Sequence, residues 1–99
     1  MSINARRYLE KVRGKLTLGS AIRSIRLCEE ESQTAFAKKI KVSTQYLCDL
    51  EHNRKIISPK KAKKIAEILG YSPEQFVALA IQDSLDRDHI HMLVEVKTA

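Results

Sequence analysis

Ninety-nine residues suffice for one domain whose core stands without disulfides or metal, and leave no room for a catalytic domain beside a regulatory one. Cys28 and Cys48 show no C-x-x-C or Cys/His spacing, no charged-then-apolar leader opens the chain, and no apolar run approaches the roughly 20 residues of a membrane span; a soluble protein of the reducing cytoplasm is expected. The net charge of +6 is uneven, because residues 1–66 hold 16 Lys and Arg against 6 Asp and Glu while residues 67–99 hold 2 against 6, and a basic body of this kind attracts polyanions, nucleic acid first among them.

Apolar residues recur at helical spacing over most of the chain, which predicts an all-α body. A first amphipathic segment, Asn4 to Arg13, puts Ala5, Tyr8, Leu9 and Val12 on one face and stops at Gly14; residues 1–16 are read as an extra N-terminal arm or helix. Thr17 can cap a helix from Leu18 to Glu29 with Leu18, Ala21, Ile22, Ile25 and Cys28 buried, and both cysteines are read as small core-facing residues. Ser32 caps the next helix, with Phe36, Ala37 and Ile40 inward, and Ser43 caps another that buries Leu47 and Leu50. After the polar break at His52-Asn53-Arg54-Lys55, Ser58-Pro59 opens a helix burying Ala62, Ile65, Ala66 and Leu69, and Gly70 with Tyr71 ends it. Ser72-Pro73-Glu74-Gln75 opens the last helix with a capping-box pattern, and Phe76, Val77, Ala80, Ile81 and Leu85 continue its apolar side.

Between Ser32 and Glu51, two short helices flank a three-residue turn, with the small Ala37 where they approach each other. A second helix held in this way projects into a major groove while the first braces it on the phosphate backbone. Over Ser32-Gln33, Phe36-Ala37, Ile40, Val42-Ser43, Leu47, Leu50-Glu51, Ser58-Pro59, Ile65-Ala66, Leu69-Gly70 and Phe76, the chain resembles the repressor and Cro-like (Xre-type) helix-turn-helix superfamily across roughly residues 17–80. Three positions depart from that pattern: Lys41 and Asn53 replace frequent glycines, and Lys55 stands where arginine is common.

The resemblance implies a five-helix DNA-binding domain over residues 17–86 and base reading from the start of the recognition helix, by Thr44, Gln45 and, one turn on, Asp49. Gln45 can bond adenine bidentately, and Asp49 can accept from a cytosine amine or reject wrong sequences. Tyr46 is read either as an exposed ring touching backbone or thymine methyl, or as partly buried. Phosphate contacts are expected from Gln33, Ser43, His52, Asn53, Arg54, Lys55, Lys60 and Lys61, while Lys63 and Lys64 read as an ordinary solvated face. Arg26 and Glu51 match a family pair that ties the first core helix to the end of the recognition helix.

Other chemistry finds no complete pattern in the sequence. Arg13-Gly14-Lys15-Leu16-Thr17 lacks the earlier glycine of a phosphate-binding loop, and His89-Ile90-His91 has no third ligand at metal-site spacing, so no metal, cofactor or enzymatic activity is expected. The function expected is a sequence-specific double-stranded DNA-binding transcriptional regulator acting as a repressor, either freestanding or as the antitoxin that also binds a small toxin protein. A protein-interaction adaptor with a basic surface and no operator is the alternative.

The one strictly alternating stretch places Ile90, Met92, Val94 and Val96 on one face, and His91, Leu93, Glu95 and Lys97 on the other. Residues 87–99 are therefore expected to form a short strand that pairs with a second subunit, giving a homodimer for a near-palindromic operator. The competing readings are a frayed tail or a longer last helix, with dimerisation through Phe76 to Leu85 or not at all.

Overall fold

The computed structural model describes residues 16–99. The expected N-terminal helix with Ala5, Tyr8, Leu9 and Val12 lies outside the described residues. Five helices follow: α1 (Leu18–Cys28), α2 (Gln33–Lys39), α3 (Thr44–Glu51), α4 (Pro59–Leu69) and α5 (Pro73–Arg87).

Helices this short are marginal on their own, since a few turns hardly repay the cost of nucleation. Their ends are correspondingly well closed. At each start a hydroxyl accepts an otherwise orphaned backbone N–H: Thr17 from Ser20, Ser32 from Ala35, Ser43 from Tyr46, Ser58 from Lys61 and Ser72 from Gln75. At each finish the chain enters the left-handed region for one residue, and the next N–H reaches back to a carbonyl five residues earlier. The left-handed residues are Glu30, Lys41, Asn53, Gly70 and His89, and the bonds run from Glu31 to Arg26, Val42 to Ala37, Arg54 to Asp49, Tyr71 to Ala66 and Ile90 to Leu85. Lys41 and Asn53 thus hold the left-handed conformation at the positions where the superfamily often has glycine.

The apolar faces meet in one cluster: Leu18 and Ile22 from α1, Phe36 and Ala37 from α2, Ile40, Leu47 and Leu50 around α3, Ile57, Ala62, Ile65 and Ala66 around α4, and Phe76 and Ala80 from α5. Gly19 lets α1 lie directly on the end of α3, because a Cβ there would run into the Leu50 carbonyl oxygen. Cys28 is exposed rather than buried. The inward stripe of α1 runs Leu18, Ile22 and the half-buried Ile25, and Cys28 falls off its edge at the last residue of the helix. Cys48 is half-buried, and Ala21, Val77, Ile81 and Leu85 are likewise only half-covered.

The expected C-terminal strand is not formed among the described residues. A lone strand has no ladder to join, and residues 90–99 instead run irregularly back along α5. The Gln82 amide takes the place of a strand neighbour, donating to the Met92 carbonyl at 2.8 Å and accepting from the Val94 N–H at 2.8 Å. Thr98 donates to Glu74 at 2.6 Å near the start of α5.

The sequence did not single out Asp83. Its carboxylate accepts the Leu18 N–H at 2.9 Å, joining α5 to the first turn of α1. Burial pushes this carboxyl up to about 6 from an ordinary 3.8, the Leu18 N–H pulls it back, and the Asp86 charge raises it further. The folded chain therefore keeps a proton that the unfolded chain has released, so this group's contribution to stability falls as pH rises from about 4 to about 6. Asp83→Asn keeps an acceptor and removes the charge. Its melting temperature is expected to match the parent's near pH 4 and exceed it increasingly up to pH 7; a parent more stable at pH 7 would mean that attraction between the carboxylate and the α1 N-terminus outweighs burial.

Candidate nucleic-acid interface

The turn between α2 and α3 is four residues, Ile40 to Ser43, and its geometry follows from side chains already named. Ile40 is buried, Lys41 supplies the left-handed bend, and the Ser43 hydroxyl caps α3. Leu47 and Leu50 fix the inner face of α3 in the core. Thr44 and Gln45, in its first turn, are consequently exposed.

The far end of α3 is held by charge. Glu51 is fully enclosed, and Arg26 of α1 grips it with two parallel bonds, Nε to Oε2 at 2.7 Å and Nη2 to Oε1 at 2.9 Å. The remaining arm of the guanidinium donates to the Glu31 carbonyl at 2.9 Å in the loop before α2. Gln33, at the first residue of α2, donates to Glu51 Oε1 at 3.1 Å. Burial alone would raise the Glu51 carboxyl, but the hydrogen bonds from Arg26 and Gln33 outweigh it and hold the group below its ordinary value.

Around the exposed half of α3 lie two clusters of polar and basic side chains. Tyr46 is half-buried, with Lys61 Nζ 4.1 Å and Lys55 Nζ 5.1 Å from its ring centre, so one ring gathers cations from the loop after α3 and from the first turn of α4. Burial raises the Tyr46 hydroxyl's pKa against the opposing pull of Lys55. The second cluster centres on Asp49, whose Oδ1 accepts from Gln45 Nε2 at 3.0 Å and Arg54 Nε at 2.9 Å, while Lys55 Nζ stands 3.9 Å from Oδ2. The Arg54 hydrogen bond, aided by Gln45 and the two cations, lowers this carboxyl's pKa despite partial desolvation.

The other predicted contacts sit around this frame. His52 donates from Nδ1 to the Cys48 carbonyl at 2.8 Å, which leaves Nε2 as its outward nitrogen. Asn53 is exposed and accepts from the Thr17 hydroxyl at 2.7 Å, and Lys60 is exposed at the start of α4. Gln45, Asp49, Arg54 and Lys55 therefore come together, as do Tyr46, Lys55 and Lys61, while Gln33 turns inward to Glu51. Sequence reading misses the Glu31 carbonyl as a partner of Arg26, and it gives Thr17 only as the cap of α1, not as the donor to Asn53.

The helix-turn-helix family model matches residues 22–76, which spans α2, the turn, α3 and α4, with most of α1. The chain belongs to the repressor/Cro-like helix-turn-helix superfamily. This is a family of DNA-binding regulators, and the match covers the frame on which the exposed start of α3 is mounted. No curated protein and no solved structure matches the chain significantly. No helix among the described residues is long and apolar enough to cross a membrane.

For this helix-turn-helix frame, Arg26→Met should strand the Glu51 carboxylate in the core and cost roughly 3 kcal/mol in urea denaturation. The double variant Arg26→Met/Glu51→Leu should recover most of that loss, since apolar residues of similar size satisfy the space without an unpaired charge. If the double variant is no more stable than the single one, the enclosed charge is not what the arginine holds in place.

Proposed function

We propose that this chain is a sequence-specific double-stranded DNA-binding regulator that represses transcription. One observation carries the reading: the first turn of α3 presents Thr44 and Gln45 to solvent from a helix braced at its other end, with Lys55 and Lys61 placed beside it. Gln45 offers both a donor and an acceptor to a base edge, Thr44 a hydroxyl and a methyl, and the flanking cations match the phosphates on either side of a major groove. An adaptor that docks on an acidic protein needs the cations but has no use for polar side chains at the start of α3. A freestanding repressor and an antitoxin would use the same face; a neighbouring gene product that is toxic alone and copurifies with this chain selects the second setting.

Selection from a random duplex pool tests the proposal directly. A preferred sequence should emerge, and binding should weaken steeply with salt. Gln45→Ala is expected to change the preferred sequence at a cost of roughly 1 to 3 kcal/mol in discrimination, whereas Lys61→Ala should weaken binding to every duplex alike and reduce the salt slope by about 1. An unchanged preference in the Gln45 variant would remove the reading head from α3.

The regulator is proposed to act as a dimer joined through residues 90–97. Gln82 holds Met92 and Val94 of this segment, whose side chains keep a partial alternation, with Val94 and Val96 half-buried and Leu93 exposed. On pairing with a second copy related by a two-fold axis, the same segment of each chain would supply the strand neighbour that the other lacks. Two recognition helices would then stand about 34 Å apart for a near-palindromic site. A chain ending at Asp86 should sediment as a monomer and lose affinity for the full palindrome more than for a half-site; an unchanged dimer would move the interface to the groove lined by Ile56, Pro59, Ile81 and Leu85.

A further inference from the structure

The side chains best placed to meet DNA are not free in the chain alone. Arg54 and Gln45 both donate to the same oxygen of Asp49, at 2.9 and 3.0 Å, and Lys55 stands 3.9 Å from the other oxygen. Asp49 itself is well covered, with 15% of its side chain exposed, whereas Arg54 and Lys55 keep about half of theirs. The carboxylate is thus fixed under a layer of donors, and those donors are the groups assigned to the base edge and the backbone.

We propose that Asp49 is a specificity-determining residue that restrains Gln45 and Arg54, so that only a matching duplex releases them at no net loss. This inference rests on the reading of α3 as a recognition helix. On an arbitrary sequence, a phosphate that draws Arg54 away leaves the Asp49 carboxylate with only Gln45 and the more distant Lys55 beside a polyanion, and that repulsion offsets the gain. On a matching sequence, Gln45 finds a base edge, and a base amine can replace the lost donors at Asp49. The same carboxylate therefore weakens binding to random DNA more than binding to the preferred site. A partly exposed pair is weak enough to be exchanged in this way, because its donors give up little when they leave.

The test uses the full chain, a random-sequence duplex pool and the duplex that the parent selects from it, with affinities measured over a range of salt. Asp49→Asn is expected to raise affinity for the random pool about 2- to 5-fold. Its salt slope on that pool should steepen by about 1 as Arg54 becomes free to neutralise a phosphate. Affinity for the selected duplex should rise less or fall, so the ratio between the two narrows. Arg54→Gln in the Asp49→Asn background should cancel the steeper slope, and Asp49→Ala should act in the same direction as Asp49→Asn if the amide disturbs folding. Unchanged random-pool affinity and slope overturn the proposal, as does an equal rise on both duplexes. A loss on the selected duplex alone, with random binding unaltered, makes Asp49 a direct base reader instead. If the parent binds no duplex in a salt-dependent way, the DNA-binding reading fails before Asp49 is at issue.

Discussion

Glu51 sits where a carboxylate is least welcome: at the last residue of α3, at the negative end of the helix dipole, and sealed from solvent. Its charge is tolerable only because Arg26 approaches with a planar, always-protonated fork that meets both oxygens, and because Gln33 fills a further lone pair. Three helices are fastened by that one group. Arg26 brings α1 and, through the Glu31 carbonyl, the loop after it; Gln33 brings the first residue of α2; and Glu51 is the end of α3 itself. A buried pair of this kind adds little net stability over an apolar core, so its value here is directional: it sets where α3 ends relative to α2, and hence where α3 begins.

How far the sequence revealed this depended on whether a feature is local or arises from the approach of distant elements. The five hydroxyl caps, the glycine stop at Gly70 and the inward Phe36, Leu47 and Ile65 are local, because propensity and 3.6-residue spacing write them directly into the chain. Gly19 was illegible, since only the proximity of the Leu50 carbonyl makes a side chain impossible there. Asp83 left a faint trace, as an acidic residue three positions beyond buried Ala80 on the inward side of α5, but its partner lies 65 residues away in sequence. Cys28 was misplaced for the converse reason: an apolar residue near a helical stripe reads as buried whether or not another element reaches that far. The alternation after Ile90 reads as a strand, yet none forms among the described residues, because a strand needs a partner to share its ladder.

The charge distribution follows the same division of labour. Cations around α3 rest on neighbouring side chains: Lys55 and Lys61 on the Tyr46 ring, Arg54 on Asp49. Acidic residues cluster in α5 and beyond, where Asp83 closes the start of α1 and Glu74 receives the chain's end through Thr98. The acidic side chains of α5 thus fasten other parts of the chain in place.

Four of the five helices end on a left-handed residue that is not glycine, each costing on the order of 1 kcal/mol relative to a glycine in the same place. For a domain of this size such a sum is a large part of net stability, so the side chains retained there need a reason beyond folding. Two of the four border α3, and both carry chemistry that glycine lacks. Lys41 adds a cation at the turn leading into the helix, and Asn53 offers Oδ1 to Thr17, joining the loop beyond α3 to the start of α1. Glycine at either position would relax the backbone, and it would also loosen the frame or discharge the surface on which α3 is presented. Strain in this fold falls at helix ends, two of the four positions bordering α3, and the tight closure of every helix end is what allows a small core to carry it.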